Sequence, residues 1–303
     1  MVRGSVGALL GLGRLHIVSI GAVGTLTFGW LLTGRYPWLL GALSGLDWFL
    51  VNLLNRVVDL PEDTANRIAG TELAHRHRRG ILVAGFTLLF ASLLLGHALA
   101  PRVTALRVAF HLLGLGYNWP LLPRRRRIKQ LYFWKNAASA TGFVLTVFAY
   151  PLAADGCWPF GPTTAAMPSG ISPATVALAV AFFVPFELSY EVIYDLRDVA
   201  GDRAAGLRTF PVVHGTRGAM RIVVGLLLGS LAPLGVGYAL GLVPWRLVIM
   251  GAAPLIQLAA TELRLRRGID ARFCIGLTWL GVALLVTYHL WFLGHLPGSE
   301  LPL

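Results

Sequence analysis

The stretch PATVALAVAFFVPFELSYEVIYDLRDVAGD, residues 173–202, decides the fold class of this 303-residue chain. Its first part, residues 173–194, is mostly apolar and has about the 20 residues that an α-helix needs to cross the hydrocarbon core of a membrane. It ends in three aspartates, at positions 195, 198 and 202. Carboxylates beside bilayer-length apolar sequence are costly, so their default explanation is a functional polar cavity. A second apolar segment ends in the same way, in NRVVDLPED at residues 55–63.

Composition indicates an integral membrane protein. Hydrophobic residues make up 56% of the chain, charged residues only 13%, and the mean hydropathy is +0.68. No linker is long or polar enough to separate domains, so we predict an all-α polytopic protein with residues 1–303 as one domain. The single bundle would have nine transmembrane helices. The predicted spans are approximately Leu15–Thr33, Pro37–Asn55, Gly80–Ala98, Val103–Tyr117, Ala137–Ala153, Pro173–Tyr194, Ala219–Leu240, Trp245–Glu262 and Arg272–Leu293.

The basic residues fit this topology. With nine spans and the N-terminus in the cytoplasm, nearly all Lys and Arg residues fall on the cytoplasmic side, as the positive-inside rule requires. Only Arg35, Arg102, Arg107 and Arg246 fall on the other side. The net charge of +12 is therefore explained by topology and contact with anionic lipid, and nucleic-acid binding is not predicted. We predict a protein of the cytoplasmic (inner) membrane whose acid clusters face the cytoplasm.

The spacing of the acids favours a site for metal and diphosphate. Glu187, Glu191, Asp195, Asp198 and Asp202 follow steps of four, four, three and four, which puts them on one helix face. Asn55 and Asp59 share a face in the same way, and Asp63 joins them if the helix continues past Pro61. Magnesium is usually held by a few carboxylates together with substrate phosphates. The alternative is that these carboxylates are solvated loop residues paired with nearby arginines.

These motifs resemble the UbiA superfamily of intramembrane prenyltransferases. The first family motif, Asn-Asp-x-x-Asp-x-x-x-Asp, stands here as residues 55–63 with Arg56 in place of the second residue. The second, Asp-x-x-Asp-x-x-x-Asp, is intact at residues 195–202, and GLRTFPVVHG at 206–215 is similar to the family's continuation. The segment Tyr117-Asn118-Trp119-Pro120 also resembles a family segment. The resemblance implies nine helices and two bound magnesium ions.

The resemblance also implies roles for particular residues. The metal ligands would be Asn55, Asp59 and Asp63 for one ion, and Asp195, Asp198 and Asp202 for the other. The diphosphate would be held by Lys129 or Lys135, together with Arg67. Tyr117, Tyr194 and Glu191 are further candidates for substrate contact, and Glu191 is also a candidate metal-site residue. For Glu187, accepting a proton or stabilising a cation stands beside a structural role as a neutral acid.

Other polar residues have simpler interpretations. Arg56 is expected to snorkel toward lipid headgroups, with diphosphate contact or a ligand-poor first metal as alternatives. His16, His97, His111 and His289 are expected at the membrane interface, and Arg124–Arg127 as a membrane anchor.

The predicted function is Mg²⁺-dependent transfer of an isoprenyl group from an allylic isoprenyl diphosphate to a lipophilic acceptor, aromatic or lipid. The alternative within the family is a terpene cyclase that acts on the prenyl diphosphate alone. A transporter with an intramembrane acid pathway is a third hypothesis. The sequence shows no obvious internal hydropathy repeat of the kind that many transporters have, which argues against it.

Overall fold

The computed structural model describes residues 13–65, 68, 70–157, 159–161, 171–297 and 299, and these residues form helices and no β-strand. The long helices are α1 Leu15–Thr33, α2 Trp38–Val58, α3 Arg78–Leu99, α4 Thr104–Asn118, α5 Tyr132–Val144, α6 Pro173–Ala204, α7 Phe210–Ala239, α8 Ala252–Leu265 and α9 Ala271–Leu293. Shorter α-helices span Leu60–Ala65, Thr71–Arg76, Tyr150–Ala154 and Trp245–Val248. Single 3₁₀ turns lie at Pro101–Val103, Pro123–Arg125, Ile128–Gln130 and Ile249–Gly251, and a π turn at Leu145–Ala149 joins α5 to Tyr150–Ala154.

Within the described chain, seven helical segments are long and apolar enough to cross a membrane, which makes this an integral membrane protein. They comprise α1, α3, α6, α7 and α9, α5 with its extension to Ala154, and α8 with the turns that begin at Trp245. The other two long helices are α2, which carries Asp47 and Arg56, and α4, which has only 15 residues. The all-helical class is therefore confirmed, whereas seven described segments, and not the predicted nine, are long and apolar enough to cross a membrane.

The helices pack in a closed circuit. Contacts run from α1 to α2, then through α4, α5, α6, α7, α8 and α9, and α9 returns to α1. Helix α3 packs on α2 and exposes apolar side chains such as Val83, Phe90 and Leu94. Because these side chains lie on a membrane-length helix, they are suited to contact lipid tails.

A buried ion pair joins four of these helices. Asp47 on α2 accepts hydrogen bonds from Arg107 Nε at 2.9 Å and Nη2 at 2.5 Å, and both side chains have no exposed surface. His111 Nε2 and the Tyr150 hydroxyl lie 3.0 Å from the same carboxylate, and Arg107 Nη1 donates to the Ser92 carbonyl at 2.7 Å. We call these five residues the Asp47 network.

The Asp47 network corrects one expectation. His111 is not interfacial, since it is buried on α4 and its Nε2 lies 3.0 Å from Asp47. The physical reason is that the ion pair of Asp47 and Arg107 places polar partners inside the bundle, where a buried polar group needs them.

Candidate functional site

A cavity of about 890 Å³ opens among the helices at the end of the bundle that carries the two acid motifs. Its wall includes the predicted residues Asn55, Asp59, Asp63, Tyr117, Lys129, Lys135, Glu191, Tyr194, Asp195, Asp198 and Asp202. The structure thus brings together every predicted site residue except Arg67, which lies outside the described residues. Carboxylates from two helices and two lysines share one cavity.

The first motif converges because α2 ends just before it. The helix stops at Val58, Asp59 follows with non-helical backbone angles, and a short helix begins at Leu60. Pro61 lies in the first turn of the short helix, where its missing N–H costs nothing. The backbone N–H of Asp63 donates to the Asp59 carbonyl at 2.8 Å, so both carboxylates stay beside the end of α2.

Asn55 is oriented for a ligand in the cavity. Its Nδ2 donates to the Gly114 carbonyl at 3.2 Å. Its Oδ1 is buried and has no hydrogen-bond partner among the described residues. A buried amide oxygen without a partner is costly, and a hard cation or an ordered water would satisfy it.

The second motif lies on an unbroken helix. Helix α6 continues past the predicted end of the span, Tyr194, to Ala204, so its acidic stripe keeps helical spacing along the cavity wall. Lys135 forms an ion pair with Asp195 and approaches Asp202 at 3.5 Å, while Asn136 Nδ2 donates to Asp195 at 3.1 Å. Asn136 was not predicted as a site residue, because it belongs to neither of the two acid motifs.

The two lysines are divided between the motifs. Lys129 donates to Asp59 at 2.6 Å and forms an ion pair with Glu62, whereas Lys135 belongs to the second motif. Both lysines are buried. Burial raises the pKa of the Asp59 carboxyl to about 6, and the Lys129 ammonium opposes this rise. Asp59 is therefore mostly ionised at neutral pH.

Arg56 does not snorkel toward headgroups. Its side chain is only 3% exposed, and its Nη1 donates to Asp63 Oδ2 at 2.6 Å. Because the helix is interrupted after Val58, the chain turns and places the Asp63 carboxylate beside the last turn of α2, within contact of the Arg56 guanidinium. Of the Arg124–Arg127 run, Arg127 does reach the first motif, since its Nη2 lies 3.0 Å from Glu62.

Deeper in the cavity the wall becomes apolar. Glu191 accepts a hydrogen bond from Ser139 at 2.8 Å, and the Tyr194 hydroxyl is bonded to Thr278 on α9 at 2.8 Å. Tyr194 is thereby fixed at the cavity wall, and the Arg197 guanidinium lies 4.8 Å from its ring centre. Glu187, one turn deeper than Glu191 on α6, is buried and also lines the cavity, so the apolar interior begins below it.

The lining ends at a common depth on several helices, at Phe28 on α1, Trp48 on α2 and Phe182 and Phe183 on α6. Phe28 and Phe183 pack against each other with ring centres 5.5 Å apart and form an aromatic floor. Phe183 precedes Asp195 by three turns of α6, a depth of about 18 Å at 1.5 Å per residue. Along α9 the lining continues further, to Trp291.

The donor set fits a hard divalent cation, although the carboxylates already have partners. Among the described residues, no group of three or more His, Cys, Asp and Glu side chains is gathered as a metal site. The oxygen donors of Asp195, Asp198 and Asp202, with Asn55 Oδ1 and Asp59, are nevertheless of the type that Mg²⁺ prefers. In this structure, Lys129 and Lys135 neutralise carboxylates that would otherwise be available to a metal ion.

The chain belongs to the UbiA prenyltransferase family, whose model matches residues 17–280. It is similar to a digeranylgeranylglyceryl phosphate synthase from Natronomonas pharaonis, with 32% identity over 91 residues, or 30% of this chain and 33% of that protein. A protein of the same name from Methanopyrus kandleri is 35% identical over 108 residues, or 34% of this chain and 37% of the relative. The matched segments thus span about a third of each relative's length.

The fold is shared with a solved UbiA homologue from Archaeoglobus fulgidus bound to GPP and Mg²⁺. The two structures superpose with a TM-score of 0.66 over 93% of this chain and 97% of the other, at 16% sequence identity. The likeness extends to the arrangement of helices over nearly the whole described bundle.

Proposed function

We propose that this protein is a Mg²⁺-dependent intramembrane prenyltransferase. It would transfer an isoprenyl group from an allylic isoprenyl diphosphate to a lipid acceptor and release diphosphate. The observation that carries the proposal is the shared cavity, in which two acid motifs and two buried lysines lie at the mouth of an apolar pocket. The charged diphosphate needs a polar environment and the prenyl chain an apolar one, and the mouth and the interior of the cavity provide these two environments.

The residues at the mouth would bind the leaving group. Bound Mg²⁺ would neutralise the diphosphate and make it a better leaving group. Asp195, Asp198 and Asp202 would hold one ion, and Asn55, Asp59 and Asp63 the other. Lys129 and Lys135 would move from their carboxylates to phosphate oxygens, since a flexible ammonium can change partners at little cost. The described part of the chain leaves Arg67 untested, and it remains a candidate phosphate ligand.

The apolar interior would hold the prenyl chain and exclude water from the allylic cation. An extended isoprene unit contains four carbon–carbon bonds of about 1.5 Å and spans about 5 Å. The cavity wall on α6 runs about 18 Å from Asp195 to Phe183, and the lining continues further along α9, so the pocket suits a donor of at least about four units. Tyr117 and Tyr194 would face the cation at the start of this chain, where an aromatic ring stabilises positive charge.

Transfer would form a new bond between the acceptor and the allylic carbon as the carbon–oxygen bond to diphosphate breaks with its electron pair. The names of the relatives support an acceptor with a glycerol hydroxyl, which must lose its proton. Glu191 is one helical turn from Asp195, about 6 Å along α6, whereas Glu187 is two turns away. Glu191 is therefore the better placed of the two to accept that proton.

We also propose that α2 and α4 complete nine membrane-crossing helices, and that residues 1–303 form one domain. The N-terminus and the cavity mouth would face the cytoplasm, in the cytoplasmic membrane. The basic residues around the mouth, including Arg124–Arg127, support this orientation through the positive-inside rule.

The test is Mg²⁺-dependent diphosphate release by the detergent-purified protein from geranyl, farnesyl and geranylgeranyl diphosphates, with and without glycerol-lipid and aromatic acceptors. Release that requires a lipid acceptor, and that is lost in Asp195→Asn but kept in Glu262→Gln, is the expected result. Glu262 is an exposed acid outside the cavity lining and serves as the control. A terpene product without acceptor would favour a cyclase, and no release from any diphosphate would contradict enzymatic transfer.

A further inference from the structure

Arg56 is a fixed cation within the first acid motif. It lies in the last turn of α2, lines the cavity and is 3% exposed. Its Nη1 is 2.6 Å from Asp63, a carboxylate that is itself buried. A guanidinium remains charged at any pH of interest and holds a rigid planar geometry, so this pair cannot be relieved by loss of a proton.

Around the first motif, the described cations outnumber the carboxylates by four to three. Its carboxylates are Asp59, Glu62 and Asp63, and the cations within 4 Å of them include Arg56, Lys129 and Arg127. Arg14 adds a fourth cation, 3.9 Å from Asp63. A divalent ion arriving here meets no net negative charge.

The second motif keeps a net negative charge. Among the described residues, its three carboxylates have only two cations within ion-pair distance, Lys135 and Arg197. Affinity for hard cations rises with the number of uncompensated carboxylates in the site. The two motifs are similar in sequence, yet they differ in the charge that they offer to a metal.

We infer that Arg56 takes the place of one tightly bound divalent ion, so that the protein binds a single divalent ion tightly, at the second motif. On the side of the first motif, the fixed charge of Arg56 would face the diphosphate, so the second ion proposed above for Asn55, Asp59 and Asp63 would be bound only weakly. The inference rests on the proposed function, because it assumes that diphosphate occupies the mouth of the cavity. It explains why Arg56 is buried among carboxylates instead of lying at the lipid surface.

The experiment counts ions directly. Mn²⁺ is titrated into the detergent-purified protein with inorganic diphosphate equimolar to the protein, free Mn²⁺ is measured by electron paramagnetic resonance, and a titration of the same diphosphate without protein is subtracted. We expect one tight ion per chain for the natural sequence and for Arg56→Lys. Arg56→Asp removes the cation and adds a carboxylate, and we expect it to bind a second ion at least about tenfold more tightly than the natural sequence does.

Two equally tight ions in the natural sequence would overturn the inference, even if Arg56→Asp fails to fold. A folded Arg56→Asp protein that still binds one ion would also overturn it. Failure of the proposed function looks different: Mn²⁺ binding would then be independent of diphosphate in every variant, and no prenyl diphosphate would be cleaved.

Discussion

The Asp47 network should be the most sensitive point of the bundle to a single substitution. Asp47→Ala removes four hydrogen bonds from the carboxylate, two from Arg107 and one each from His111 and Tyr150. It leaves Arg107 fully buried without a carboxylate, although its hydrogen bonds to the Ser92 carbonyl and hydroxyl are retained. Removing one partner of a buried ion pair typically costs about 3–5 kcal/mol, because the remaining charge is uncompensated.

We therefore expect Asp47→Ala to lower the free energy of unfolding by about 3–5 kcal/mol. The assay is unfolding in detergent micelles, by titration with a denaturing detergent and by thermal loss of the monodisperse peak. The double variant Asp47→Leu with Arg107→Met removes both charges and restores apolar volume, so it should recover at least half of the loss. The control is Asp270→Asn, at an exposed helix N-terminus outside the network.

Two results would refute this reasoning. One is a loss below about 1 kcal/mol for Asp47→Ala, which is the range of an exposed ion pair. The other is a double variant that is no more stable than the single one, since the cost would then come from lost packing and not from unpaired charge.

Three further predictions concern the cavity and the network. Phe183→Ala opens the aromatic floor on α6 and should shift the preferred donor toward a longer diphosphate, measured as kcat/KM for each diphosphate, whereas Phe292→Ala, outside the lining, should not. Glu191→Gln should lower kcat of transfer about 10²-fold as a lost proton acceptor, with diphosphate binding retained and a smaller effect for Glu187→Gln. In Gly96→Ala, the added carbon would lie 1.9 Å from the buried guanidinium, so a loss of about 1–3 kcal/mol in the same unfolding assay is expected.

Helix positions were predictable because apolar length is a local property of the sequence. The prediction for α1 matches the observed Leu15–Thr33, and α9 begins one residue before its predicted start. The apolar span of α6 was predicted to end at Tyr194, and the helical spacing of the acids correctly indicated that the helix continues through Asp202.

Pairings between distant helices were not predictable from spacing. Asp47 meets Arg107 and Tyr150 across 60 and 103 positions, and neither partner shares a motif with it. Arg56 was misread for a related reason. Its neighbour Asp63 is close in sequence, but only the break after Val58 turns that carboxylate back onto the guanidinium.

The π turn at Leu145–Ala149 restricts how this chain can evolve. Such a turn holds one residue more than an α-helical turn, so the helical segments on either side of it keep separate registers. Loss of one residue there would rotate Tyr150 by about 100° relative to Lys135. Lys135 could then contact the second acid motif, or Tyr150 could contact Asp47, but the two contacts could not form together. Substitutions can accumulate on the two sides independently, whereas a one-residue deletion in the turn would be selected against.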